Sequence, residues 1–184
     1  MKKTITTIAM LGMLLPGMAQ EVKTTFQTSS AWKPTIDVRA DAVMVYGTGS
    51  SPQISFQERV DSWRKQGYTT HFMTGIAWGG YSDYFTGKWD GKQHMDEGQK
   101  DMKGDTIVHN PGTPYIVPTL NYLKYFKETQ LKPVIDAGIS DIFLEEPEFW
   151  AFAGYSESFK REWEAYYGFP WRAQHLSAEN TYLS

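Results

Sequence analysis

Short apolar runs alternate with amphipathic ones along this chain. "AVMVYG", residues 42–47, is rich in Val and stops at Gly47, the pattern of a strand buried on both faces. After the loop "GTGSSPQIS", Phe56, Val60 and Trp63 recur at helical spacing, with Gly67 at the stop, so a helix follows. "TTHFMTGIAW", residues 69–78, reads as a second strand. A helix is expected from near Thr119, with Leu120, Leu123 and Phe126 on one face, a bend or restart at Pro133 and an end at Gly138. "ISDIFLEE", residues 139–146, is the third strand, and "SESFKREWEAYYG" the third helix, with Ser156 or Ser158 as N-cap and Gly168 beyond its end. Between the second strand and the second helix lies a loop of unusual length, residues 79–112, and such loops are commonly functional.

Nearly all-apolar strands alternating with helices imply an α/β fold with a parallel sheet, either open and doubly wound or closed as a (β/α)₈ barrel. No GxGxxG or GxxxxGK[ST] is present, so nucleotide-binding open sheets lose their usual signature and the barrel is preferred. A complete barrel takes about 250 residues, sometimes roughly 200. This chain has 184 and about three strand-helix units, so residues 41–184 read as the N-terminal part of a TIM barrel, from a larger enzyme or a truncated gene. Residues 20–40, polar and rich in Thr and Ser, read as a leader into that domain.

Composition narrows the partners. With 41% hydrophobic and 21% charged residues the chain can bury a real core, and a net charge of −3 without a basic block argues against nucleic acid. Aromatic residues make up 15%, including seven Trp and eleven Tyr, more than a core of this size needs, so some rings are expected to face a ligand. At the N-terminus, Lys2 and Lys3 precede a short apolar run, and Gly17-Met18-Ala19 supplies small residues for cleavage. Residues 1–19 are therefore expected to be a signal peptide, removed after Ala19 to leave a secreted or periplasmic protein outside the membrane. There is no cysteine, hence neither a disulfide nor a lipid-acylation site, and no cofactor motif.

The third strand runs into carboxylates, "DIFLEEPEFW", residues 141–150. In a parallel α/β fold, functional groups collect at the carboxyl ends of strands. Side chains alternate along a strand, so Ile142, Leu144 and Glu146 share one face and Phe143 and Glu145 the other. If the first set points inward, Glu146 stands at the mouth, with Pro147 holding it in extended geometry. Carboxylates here could instead simply favour the N-terminus of a following helix. "IFLEEPEFW" resembles the strand-end motif of the large clan of retaining glycoside hydrolases with (β/α)₈ barrels, in which Asn-Glu-Pro carries the acid/base. Glu146 and Pro147 match, while Glu145 replaces the Asn that contacts the sugar 2-hydroxyl. The resemblance implies a carbohydrate-active enzyme with Glu146 as its general acid and Glu145 as a sugar contact, and it places the nucleophile on a later strand, beyond residue 184. The chain as given is therefore expected to lack turnover.

Glycoside hydrolysis needs two carboxyl groups, and Glu145 and Glu148 lie too close in sequence to Glu146 to serve as the obvious second one. In the long loop, Trp78, Tyr81, Tyr84 and Trp89 are candidate platforms for sugar rings, Asp83 and Asp90 candidate hydroxyl acceptors, and His109 a candidate sugar contact. Trp150 and Glu148 complete the expected binding set. The same rings could equally pack the loop onto the sheet. His94, Asp96 and His109 share a loop and admit a metal reading, but the polar flanks "GKQHMDEGQ" do not suit a barrel strand. A glycan-binding protein without catalysis and a metal-dependent hydrolase are the competing classes.

Overall fold

The computed structural model describes residues 21–49, 54–79, 81–173 and 178; the expected signal peptide lies outside them. Four parallel strands form one sheet in the order β1-β2-β3-β6: β1 (Thr25–Thr28), β2 (Ala42–Tyr46), β3 (Thr69–Gly75) and β6 (Ile142–Glu145). Helix α1 (Phe56–Arg64) joins β2 to β3, and α2 (Ser82–Phe85) sits early in the long loop. The antiparallel pair β4 (Val108–Asn110) and β5 (Thr113–Pro114) lies late in it. Helices α3 (Leu120–Phe126) and α4 (Lys132–Asp136) precede β6, and α5 (Glu157–Tyr167) follows it. The α/β class is as expected; the parallel sheet has one strand more than the pattern suggested, and the pair β4-β5 lies within the expected loop region.

The additional strand is β1, inside the segment expected to be a leader. Its only large apolar residue is Phe26, which packs edge-on against Trp63 and Tyr68. A Thr-rich edge strand carries little hydrophobic signal, and its place is fixed by a polar clamp instead. Asp41, at the start of β2, accepts hydrogen bonds from Lys23 N (3.1 Å), Thr24 N (2.9 Å) and Thr24 Oγ1 (2.9 Å). The Thr24 side chain and these backbone N–H groups hold the Asp41 carboxyl below its ordinary value. A depressed folded pKa contributes stability that is complete above the unfolded value and is lost as pH falls through the folded one. The thermal midpoint should therefore drop on acidification below about pH 4, and Asp41→Asn should flatten that drop. Identical acid profiles for both proteins would exclude the clamp.

One face of the sheet is covered by helices. Val43 and Val45 of β2 and Phe72 of β3 meet Phe56, Val60 and Trp63 of α1 and Val134 of α4 in the main core. The helix α1 begins at a capping box, with Ser55 Oγ accepting from Glu58 N (3.2 Å) and Glu58 Oε2 from Ser55 N (2.8 Å). Arg59 is buried beside this core, donating to the carbonyls of Ser29, Tyr46, Gly47 and Gly49. Strand β2 is buried on both faces at its start, at Ala42 and Val43, as expected, and opens at its end, where Tyr46 is exposed. Among the described residues, helices cover only the side to which Val43 and Val45 point.

The second core corrects the expected face of α3. Leu120 is 75% exposed and Leu123 49%, while Tyr122, Tyr125 and Phe126 pack with Tyr81, Tyr84 and Phe85. Tyrosines displace the leucines because their larger rings bury more area and their hydroxyls find acceptors: Tyr122 on Ile76 O (2.7 Å), Tyr125 on Asp83 Oδ1 (2.6 Å). Pro133 stands in the first turn of α4, where the helix restarts, and Gly138 and Gly168 follow α4 and α5 in left-handed conformation. Ser156 caps α5, accepting from Phe159 N. No helix among the described residues is long and apolar enough to cross a membrane.

Candidate functional site

A cleft of about 690 Å³ runs across the carboxyl ends of all four parallel strands. Gln27 lines it from β1, Tyr46 to Gly49 from the end of β2, Met73 to Gly75 from β3, Trp78, Gly79 and Tyr81 from the loop beyond, and Glu145 and Glu146 from β6. Gln130, from between α3 and α4, completes the wall. Among the described lining residues there are two carboxylates and no cationic side chain.

The turn after β3 depends on glycine. A Cβ at Gly75 would lie 2.6 Å from the Trp78 carbonyl oxygen, so only glycine lets the chain fold Trp78 back over the strand end. Tyr81 fixes the same turn by donating its hydroxyl to Gly75 O. It is 4% exposed, so this residue, expected as a sugar platform, forms part of the cleft floor.

At β6 the structure reverses the expected faces. Ile142 packs against the helix-side core, so Phe143 and Glu145 point to the face without helices. Phe143 accordingly lies 5.7 Å from the ring of His71 on the neighbouring β3. Glu146 lies one residue past the strand and is not extended: its φ is +52°. The ladder explains this. Ile76 N donates to Glu145 O (2.9 Å) and Ala77 N to Glu146 O (3.3 Å), so the chain must twist sharply to continue pairing before Pro147. A left-handed conformation at a non-glycine residue costs on the order of 1 kcal/mol and is characteristic of functional positions. Both carboxylates reach the cleft by different routes.

Behind the cleft lies a second layer. The Trp78 indole stacks on His109 at 3.7 Å with the rings 5° apart. His109 Nδ1 is 3.2 Å from the Tyr115 hydroxyl, and Tyr115 meets Trp150 edge-on at 5.5 Å. Burial first, then the charge of Glu148 and contact with it, push the Tyr115 phenol above its ordinary value, so it remains a neutral donor. Gln99 is 1% exposed and donates Nε2 to Ile116 O (3.1 Å) and Glu148 O (2.8 Å) while accepting from Trp150 N (3.2 Å). It clips the segment after β6 onto the long loop. Thus His109, Glu148 and Trp150 support Trp78 and the strand end without lining the main cleft, and Glu148 lines a smaller cavity of about 100 Å³ with Pro147 and Phe149.

Asp83 and Trp89 are elsewhere. Asp83 accepts from Tyr125, and Trp89 Nε1 donates to Glu128 (3.2 Å) with Lys124 over its ring. Both build the second core. The residues weighed for a metal separate as well. His94 is buried with Nε2 3.2 Å from Asp90 and Nδ1 3.3 Å from Glu97, Asp96 pairs with Arg161, and His109 lies under Trp78. Among the described residues no group of three or more His, Asp or Glu is arranged to hold a metal ion.

Arg59, Gln99 and Gln130 were not singled out from sequence. Each is a polar residue in an ordinary polar context; the fold places Gln130 in the cleft wall, Arg59 on the carbonyls of Gly47 and Gly49 beside it, and Gln99 behind the end of β6. Comparison with protein-family models, with curated proteins and with solved structures returned no match.

Proposed function

We propose that the chain is a carbohydrate-active protein, a secreted or periplasmic glycoside hydrolase or the N-terminal part of one, acting through the cleft at the strand ends. The observation that carries this reading is the convergence of Glu145, Glu146 and the stacked Trp78 on one cleft at the carboxyl end of a parallel sheet. The proposal extends to a (β/α)₈ barrel. Parallel sheets are normally covered on both faces, and here helices cover one face while Phe143 on the other is 44% exposed. Export rests on Lys2, Lys3 and the apolar run ending at Ala19. The partner is a carbohydrate, bound with its apolar ring face on the Trp78 indole.

In this account Glu146 donates its proton to the departing glycosidic oxygen while a carboxylate, carried on a later strand in the resembling clan, bonds to the anomeric carbon; the alcohol leaves, Glu146 is left as carboxylate, and water then hydrolyses the glycosyl ester. Glu145, at the end of β6, accepts hydrogen bonds from sugar hydroxyls. Its carboxylate replaces the Asn of the resembling clan and can only accept when ionised. A second reading, glycan binding without catalysis, is favoured by one observation: the only carboxylates among the described lining residues are consecutive in sequence. The two readings separate on Glu146→Gln made in a protein that also carries the second catalytic carboxylate. A hydrolase loses turnover of oligosaccharides and keeps their binding. A binding protein shows no turnover in either form and nearly equal affinity.

A further inference from the structure

The helical segment after the long loop does not run straight. Lys127–Leu131 form a π turn between α3 and α4, with Lys132 N donating to Lys127 O. Such widened turns are rare, interrupt α-helices as single turns and are frequent at functional sites. The groups presented here are Thr129 and Gln130. Thr48 Oγ1, in the loop after β2, lies 2.9 Å from Thr129 O and 3.1 Å from Gln130 Oε1. Thr129 Oγ1 in turn donates to Tyr125 O (2.9 Å). The Gln130 amide oxygen is thereby anchored, Nε2 makes only a long bond to Thr129 Oγ1 (3.5 Å) and has a second N–H to donate, and the side chain lines the cleft. Sheet order sets the spacing. The loop after β2 is separated from Glu145 and Glu146 of β6 by β3, so Gln130 and the carboxylates belong to different parts of one elongated cleft.

We propose that Gln130 is a specificity-determining residue, which hydrogen-bonds a hydroxyl of a neutral sugar unit at the β2 end of the cleft, with Thr48 as its positioning residue. This rests on the carbohydrate reading above. An amide both donates and accepts, matching a hydroxyl group. A uronate unit would meet Glu145 and Glu146 with no cation in the described lining to offset the repulsion. The sequence missed the residue because nothing in "KETQLK" marks a π turn.

The test titrates the protein by tryptophan fluorescence with gluco-, xylo-, manno- and galacto-configured neutral tetrasaccharides and with tetragalacturonate. Wild type, Gln130→Met, Thr48→Val and Trp78→Ala are compared. The expected result is binding of at least one neutral sugar, weakened roughly tenfold by Gln130→Met, the scale of one lost buried hydrogen bond. The preference among isomers should flatten, the unfolding midpoint should stay unchanged, and Thr48→Val should shift preference in the same direction. Wild-type affinities in Gln130→Met, alongside lost binding in Trp78→Ala, would overturn the proposal and leave the carbohydrate reading standing. A loss equal across all isomers, or one accompanied by a lower midpoint, would make Gln130 merely structural. Tighter binding of tetragalacturonate than of any neutral sugar would also overturn it. Failure of wild type to bind any of the panel would remove both the proposal and the reading beneath it.

Discussion

Glu146→Ala, in a protein that turns over glycosides through this cleft, should lower the rate on a natural oligosaccharide by about 10²–10⁴-fold and on an activated aryl glycoside by far less. A leaving group that departs without a proton has no use for a general acid, so the two substrates separate protonation from binding. Equal, small losses on both would exclude the role. Glu145→Ala should instead lose activity independently of the leaving group, because a sugar contact acts on binding. Backbone geometry adds a second readout. Glu146 holds φ +52°, a conformation costly to alanine and open to glycine. Glu146→Gly should match Glu146→Ala in lost turnover while being more stable by about 1 kcal/mol. That combination, lost function with gained stability, is expected where strain is maintained for chemistry.

Glu97→Leu should destabilise the fold by about 3–5 kcal/mol, the cost of dismantling a buried charged network. Glu97 is 2% exposed. Its carboxylate accepts from the Tyr84 hydroxyl (2.5 Å), the Thr119 hydroxyl and Asn121 Nδ2 (3.0 Å), and it faces His94 Nδ1 at 3.3 Å. The other His94 nitrogen faces Asp90 at 3.2 Å. Burial, then contact with Glu97, push the Tyr84 phenol far above its ordinary value, so it stays a donor. Thr119 also caps α3 through Tyr122 N. One substitution therefore leaves several buried donors unpaired and loosens both the long loop and the start of α3. The midpoint of thermal unfolding should fall by roughly 6–20 °C. A fall within about 2 °C would show that the network contributes little.

The alternation of Val-rich runs with helical spacing at Phe56, Val60 and Trp63 made the layering of the fold legible, and the stops at Gly67, Gly138 and Gly168 fall where glycine adopts left-handed geometry. Periodicity failed where polar groups decide the packing. Strand β1 is held by Asp41, not by an apolar face. The α3 tyrosines turn inward because their hydroxyls find acceptors across the loop, which spacing cannot reveal. At the site, the strand-end carboxylates and Trp78 were legible from residue type and position. Which face each glutamate occupies was not, since alternation fixes only relative direction, and Ile142 meeting the helix-side core sets the absolute one. Arg59 and Gln99 act by binding carbonyls remote in sequence, which leaves no local pattern to read.

The most direct test of the cleft as a carbohydrate site is hydrogen–deuterium exchange of the protein alone and saturated with a bound oligosaccharide from the neutral panel. The account predicts added protection at the strand ends: residues 46–49 after β2, Gly75 to Trp78 after β3, and Glu145 and Glu146 at β6. Exchange in α5 and in β4 and β5 should be unchanged. Protection centred on those outlying elements, with the strand ends unaltered, would contradict it.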